Sequence, residues 1–148
     1  MITKAEYDRM YELVGVAMEV YNEMGRGLEE ALYQEAMEIE MNERSIPFER
    51  EKVLHAYYKG REMKKKYIAD FYSQGVIIEF KSASSITQDH RAQLFNYLRL
   101  TKQKMGLLVN FGEDHFHAER YIYNNVNDKF ELITKSNVAL FVAKGEGQ

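Results

Sequence analysis

The hydrophobic rhythm of this chain first changes at its single proline, Pro47. Before it, apolar residues recur at steps of three and four; over the segments that follow, starting at Phe48, they alternate. The first period suits a helix buried along a stripe and the second a strand buried on one face, and neither pattern settles in the other conformation. The chain must therefore place helices first and a sheet after them. Over residues 4–24, Tyr7, Tyr11, Val14, Met18 and Tyr21 mark one helical face, and Gly25-Arg26-Gly27 stops the helix. Over residues 28–44, Leu28, Leu32, Ala36 and Ile39 mark the buried stripe of a second helix. It ends at Ser45-Ile46-Pro47, because the residue before proline avoids helical backbone angles.

Residues 48–58 and 61–72 read as two strands joined at Lys59-Gly60, a pair suited to a tight hairpin. Residues 76–82 form a third strand beyond Gln74-Gly75. Residues 87–103 return to helix, with Ala92, Phe95, Leu98 and Leu100 among the apolar positions and Thr87 as cap. The apolar run over residues 105–111 predicts a central strand covered on both faces, and residues 115–123 alternate as a strand nearer an edge. Residues 138–142 are one further apolar stretch, and the polar end beyond them is expected to fray. With no repeat, low-complexity tract or boundary in view, residues 1–148 read as one α/β domain. Its predicted order is α-α-β-β-β-α-β-β, a mixed central sheet flanked by helices.

The third strand carries the chemistry. Glu79 and Lys81 point to one face of it and Phe80 to the other. If Gln74-Gly75 is a two-residue loop, Ser73 pairs with Val76 and the register sets Asp70 opposite Glu79, with β-carbons ~4.5–5.5 Å apart. A three-residue loop would put Ala69 there instead. Two carboxylates side by side repel. Either one takes up a proton, or a hard divalent cation bridges them, with water and phosphate oxygens completing its shell. Lys81 then faces an anionic substrate or a metal-bound water, which suits metal-assisted phosphodiester hydrolysis. The plainer reading, a surface Asp-Glu-Lys cluster with a weak salt bridge, stands beside it on the strand pattern alone.

Asp70, a turn, then Glu79-Phe80-Lys81 resembles the signature of the PD-(D/E)XK nuclease superfamily, with Ala69 where the family name has proline. Within it the chain is similar to the GxxExxY family. Gly27-Leu28-Glu29-Glu30-Ala31-Leu32-Tyr33 reproduces the name motif, and Tyr57-Tyr58-Lys59-Gly60 resembles the family hairpin. Gln93-Leu94-Phe95-Asn96-Tyr97-Leu98-Arg99-Leu100 resembles its helix, and Gly106-Leu107-Leu108-Val109-Asn110-Phe111-Gly112 the strand after it. The resemblance spans about residues 8–125 and implies a restriction-endonuclease-like fold. It implies Asp70 and Glu79 as metal ligands, the backbone carbonyl of Phe80 completing the coordination and Glu30 near the metal, with Lys81 as the catalytic lysine. Gln93 would line the site, with Tyr97 one turn along. The implied cofactor is Mg²⁺ or Mn²⁺ and the implied substrate nucleic acid, DNA before RNA. Many relatives act as dimers, so a homodimer is admitted, although no residue pattern marks a dimer face.

The remaining features bound this reading. The formal net charge of −3 argues mildly against tight non-specific duplex binding and keeps open a non-catalytic nucleic-acid- or protein-binding module on the nuclease fold. Cysteine is absent, which excludes disulfides and thiolate metal sites. No apolar run nears the ~20 residues of a membrane span, and the N-terminus lacks a signal-peptide core, so a cytoplasmic protein without a membrane partner is expected. By alternation Lys64 and Lys66 share the Asp70 face, as a phosphate-binding patch or as plain solvated charge. His115 and His117 are expected on the surface. His90, three before Gln93, reads either as a contact to the site or as a bystander.

Overall fold

The computed structural model describes residues 1–143; the polar end expected to fray lies largely outside them. Two helices, α1 (Lys4–Met24) and α2 (Glu30–Glu43), precede the strands β1 (Glu49–Tyr58), β2 (Arg61–Ser73) and β3 (Val76–Lys81). Then follow α3 (Gln88–Thr101), β4 (Met105–Asn110), β5 (His117–Asn124), β6 (Lys129–Ile133) and a short α4 (Val138–Phe141). The six strands lie in sequence order in one sheet. Only β3 and β4 run parallel, and α3 is the crossover between them.

Helices α1 and α2 cover one face. Met10, Leu13, Val16, Ala17 and Val20 of α1 and Tyr33, Met37 and Met41 of α2 pack there on Phe71, Ile78, Phe80, Leu107 and Val109. Helix α3 covers the other face with Leu94, Tyr97 and Leu98, against Ile77, Leu108, Tyr121 and Tyr123. All six residues of β4 are buried, as a strand sandwiched between two helical layers must be.

The helical stripes differ from those expected. Tyr11 and Met18 are exposed, as are Leu28, Leu32 and Ile39. In α1 two apolar stripes run side by side, and the one without hydroxyl groups takes the centre while Tyr7 and Tyr21 pack at its rim. In α2 the methionines and Tyr33 win over the leucines. Strand β6 is an addition to the predicted order: it is five residues long and half exposed, so its alternation is weak. Because β6 pairs with β5, β5 is one strand in from the edge.

Candidate active site

Both hairpins turn on two residues with positive φ, Lys59-Gly60 (50° and 77°) and Gln74-Gly75 (50° and 91°). This is the geometry that matches strand twist. The second turn fixes the register Ser73↔Val76, Tyr72↔Ile77, Phe71↔Ile78. One step further stand Asp70 and Glu79, and there the ladder stops. On the other side, Glu51 of β1 sits at φ 54° and pairing skips from Arg50↔Phe71 to Lys52↔Ala69. Asp70 therefore lacks a ladder partner on either flank.

The carboxyl groups fill the gap. Asp70 Oδ2 accepts from the Phe80 amide at 2.8 Å, and Glu79 Oε2 accepts from the Asp70 amide at 3.0 Å. Each acid holds the backbone of the opposite strand, and the two carboxyl groups lie within hydrogen-bonding reach of each other. Since the Phe80 amide is turned to β2, its carbonyl is turned to the same edge. Glu79 is only 3% exposed. Burial first, and then the Asp70 carboxylate beside it, push its carboxyl up to about 9.

Lys81 shares the Glu79 face and donates to Gln93 Oε1 of α3 at 3.3 Å; Gln93 Nε2 donates to the Tyr97 hydroxyl at 3.2 Å. Tyr97 is buried, and burial followed by the charge of Glu79 holds its hydroxyl above the usual phenol range. The structure thus gathers Asp70, Glu79, Lys81, Gln93 and Tyr97 in one place. Tyr67, which the sequence did not single out, joins them: its ring centre lies 6.0 Å from that of Tyr97.

The loop before α2 is tied to this end of β3. Gly27 takes φ 80° and donates to the Phe111 carbonyl at 3.0 Å. The Tyr33 hydroxyl donates to the Gly25 carbonyl at 2.6 Å and accepts from the Leu28 amide at 3.0 Å, while its ring stacks 4.2 Å from Phe111. The Ser82 hydroxyl, one residue past Lys81, donates to the Leu28 carbonyl. Glycine and tyrosine of the motif are thus the staple that seats α2 beside the site. Glu30 opens α2 on an exposed position, and among the described residues no hydrogen bond or ion pair joins it to Asp70, Glu79 or Lys81.

Two expectations change. Strict alternation would put Tyr67 opposite Asp70, yet its ring meets Tyr97 on the α3 side. The alternation breaks where Glu51 and Asp70 leave the ladder, so Lys65, 5.4 Å from the Tyr67 ring centre, stands on the α3 side, while Lys66, next to Tyr67 in the ladder and paired with His55, falls on the other face. His117 is half buried, with Nδ1 2.7 Å from Glu113 Oε2 and Nε2 2.9 Å from Glu119 Oε2, rather than on the open surface. His90 is engaged at the start of α3, its Nδ1 accepting from the Thr87 amide at 3.1 Å in a box with the expected Thr87 cap.

The donor set fits a hard divalent cation. It offers two adjacent carboxyl groups and a backbone carbonyl on the same edge. Among the described residues no group of three His, Cys, Asp or Glu side chains forms a closed metal cage. The fit is therefore to an ion that keeps waters or takes phosphate oxygens, as Mg²⁺ does.

No curated protein matches the chain. Among solved structures, SSO0001 aligns with a TM-score of 0.49 at 20% identity, over 78% of this chain and 59% of that one. This chain thus spans less than two thirds of that protein's length. Among the described residues no helix is long and apolar enough to cross a membrane. The family model for the PD-(D/E)XK nuclease superfamily matches residues 7–122, which contain the whole site, and the chain belongs to that superfamily.

Proposed function

We propose that this chain is a Mg²⁺- or Mn²⁺-dependent nuclease of the GxxExxY group that hydrolyses phosphodiester bonds in nucleic acid, with DNA the first substrate and RNA the second. One observation carries the reading: two carboxyl groups occupy a gap in the sheet ladder, with a lysine on the same strand face. A like-charge pair costs stability unless a proton or a cation neutralises it. A divalent cation bound there supplies charge stabilisation to the phosphate and lowers the pKa of its water. Asp70, Glu79 and the Phe80 carbonyl hold it. Lys81 binds the phosphate and stabilises the charge that develops as the bond breaks. Gln93, fixed by Tyr97, sets the position of the Lys81 ammonium and orients water. Glu30 acts from the stapled end of α2. Nucleic acid as substrate and the absence of cysteine support a cytoplasmic place of action.

The net charge of −3 favours a second reading, a binding module that retains the fold without hydrolysis. Cleavage of labelled single-stranded and duplex oligonucleotides with Mg²⁺, Mn²⁺ or EDTA separates the two. Metal-dependent products from the wild type, reduced about 10²-fold in Asp70→Asn and in Lys81→Met, are expected. Equal cleavage by wild type and variants, or cleavage in EDTA, would remove the assignment.

A further inference from the structure

The space between the β1–β2 ribbon and α3 forms a groove that leads away from the site. Its near part, about 400 Å³, is lined by Tyr67, Gln93, Asn96 and Tyr97, with Asp89 as its one carboxylate. Its far part, about 750 Å³, lies between β1 and the C-terminal end of α3. The two parts share Arg99 and Leu100 and meet there. In a chain with a net charge of −3, the far part is lined by Lys52, Arg99 and Lys102 and by no carboxylate. Glu49 and Asp128 hold Lys52 and Arg99 in place at 2.7 and 3.0 Å, and Lys102 has no such partner among the described residues.

Aromatic rings alternate with these charges. Lys52 Nζ stands 5.2 Å from the centre of the Tyr72 ring, and Lys65 Nζ stands 5.4 Å from that of Tyr67. Tyr67 and Tyr72 are half buried, and both lie on the α3 side of the ribbon. A ring with an ammonium beside it meets both parts of a nucleotide, the base by stacking and the phosphate by charge. A duplex keeps its bases stacked inside and cannot offer them to a half-buried ring, whereas an unpaired strand can. From Gln93 to Lys102 the helix rises about 13 Å, the length of about four stacked nucleotides.

We infer that this groove binds single-stranded nucleic acid and delivers it to the acidic site, so that the substrate is an unpaired strand. The inference rests on the nuclease reading for what happens at the end of the groove, but not for binding within it. The ribbon clamps the strand from one side and α3 from the other. Lys65 and Lys102 hold phosphates, and Tyr67 stacks a base beside Gln93.

Fluorescence anisotropy in EDTA tests binding without requiring hydrolysis. The probes are fluorescein-labelled 12-mers of DNA and of RNA, each single-stranded and as a duplex. The single strand is expected to bind roughly tenfold tighter than the duplex. Lys65→Glu with Lys102→Glu is expected to weaken it at least tenfold and to flatten the salt dependence by about 0.7 for each phosphate that is no longer neutralised. Lys64→Glu with Lys66→Glu makes the same charge change on the same strand, at lysines that stand over neither tyrosine ring, and is expected to leave binding near wild type. Circular dichroism confirms that both variants fold; should the first pair unfold, Tyr67→Leu with Lys102→Gln replaces it. Equal or tighter duplex binding, or equal losses from the two lysine pairs, would overturn the proposal. Single-strand binding without metal-dependent cleavage would uphold the groove and refute the nuclease reading.

Discussion

Two glutamates on neighbouring parts of the sheet face opposite fates. Glu79 and Glu119 are 3% and 7% exposed, and both lie under α3. Glu119 is fully matched. Arg91 grips it with two bonds of 2.8 Å, the Tyr121 hydroxyl donates at 2.6 Å, and His117 lies 2.9 Å away. These partners, Arg91 first, hold its carboxylate down at about 2. Glu79 has one backbone amide and a second acid for company, and its carboxyl is pushed up to about 9. A buried charge that serves the fold comes with its counterion, while one left beside a like charge is poised for a ligand that supplies the missing positive charge.

Substitutions test that contrast. The largest effect on stability is expected from Glu119→Gln, which strands the Arg91 guanidinium at a partly buried site and costs about 3 kcal/mol in urea unfolding. Glu79→Gln in metal-free buffer is expected to leave stability unchanged or raise it, because the neutral amide replaces a carboxyl that folding already keeps protonated. A loss at Glu79 as large as that at Glu119 would erase the distinction.

The pH dependence has opposite signs at the two sites. The folded pKa of Glu79 lies above its unfolded value of 4.5, so its contribution is fully present below that value and fades as pH rises through about 9. The folded pKa of Glu119 lies below 4.5, so its contribution is present above that value and fades as pH falls through about 2. Unfolding free energies of metal-free protein between pH 5 and 9 are therefore expected to fall in the wild type relative to Glu79→Gln. Parallel curves would contradict the raised pKa.

The smallest effect concerns Gln93, which touches Lys81 rather than the acids. Gln93→Ala is expected to lower kcat about tenfold with little change in KM or stability, because it loosens the ammonium without removing it. A change confined to KM would place Gln93 in substrate binding instead.

Much of this was legible in local sequence. Gln74-Gly75 admits a two-residue turn, the turn fixes the register, and the register brings Asp70 to Glu79. Thr87 caps α3, and Gln93 and Tyr97, four apart, share its face as spacing requires. What stayed hidden depends on distant partners or on backbone conformation. Glu119 is matched by an arginine 28 positions earlier in the chain, on another element. The turn of Tyr67 toward the site follows from a left-handed Glu51, a conformation that no glycine or asparagine advertises there. In α1, residue type decides between two adjacent apolar stripes only once the sheet is present to be covered.

Calorimetric titration of Mn²⁺ into wild type and Asp70→Asn at pH 7, in two buffers of different ionisation enthalpy, tests the central claim most directly. If Glu79 is neutral until a cation arrives, binding to the wild type releases close to one proton per ion, and the variant binds weakly or not at all. Binding without proton release, or equal binding by both proteins, would contradict the account of an acid pair held ready for a metal.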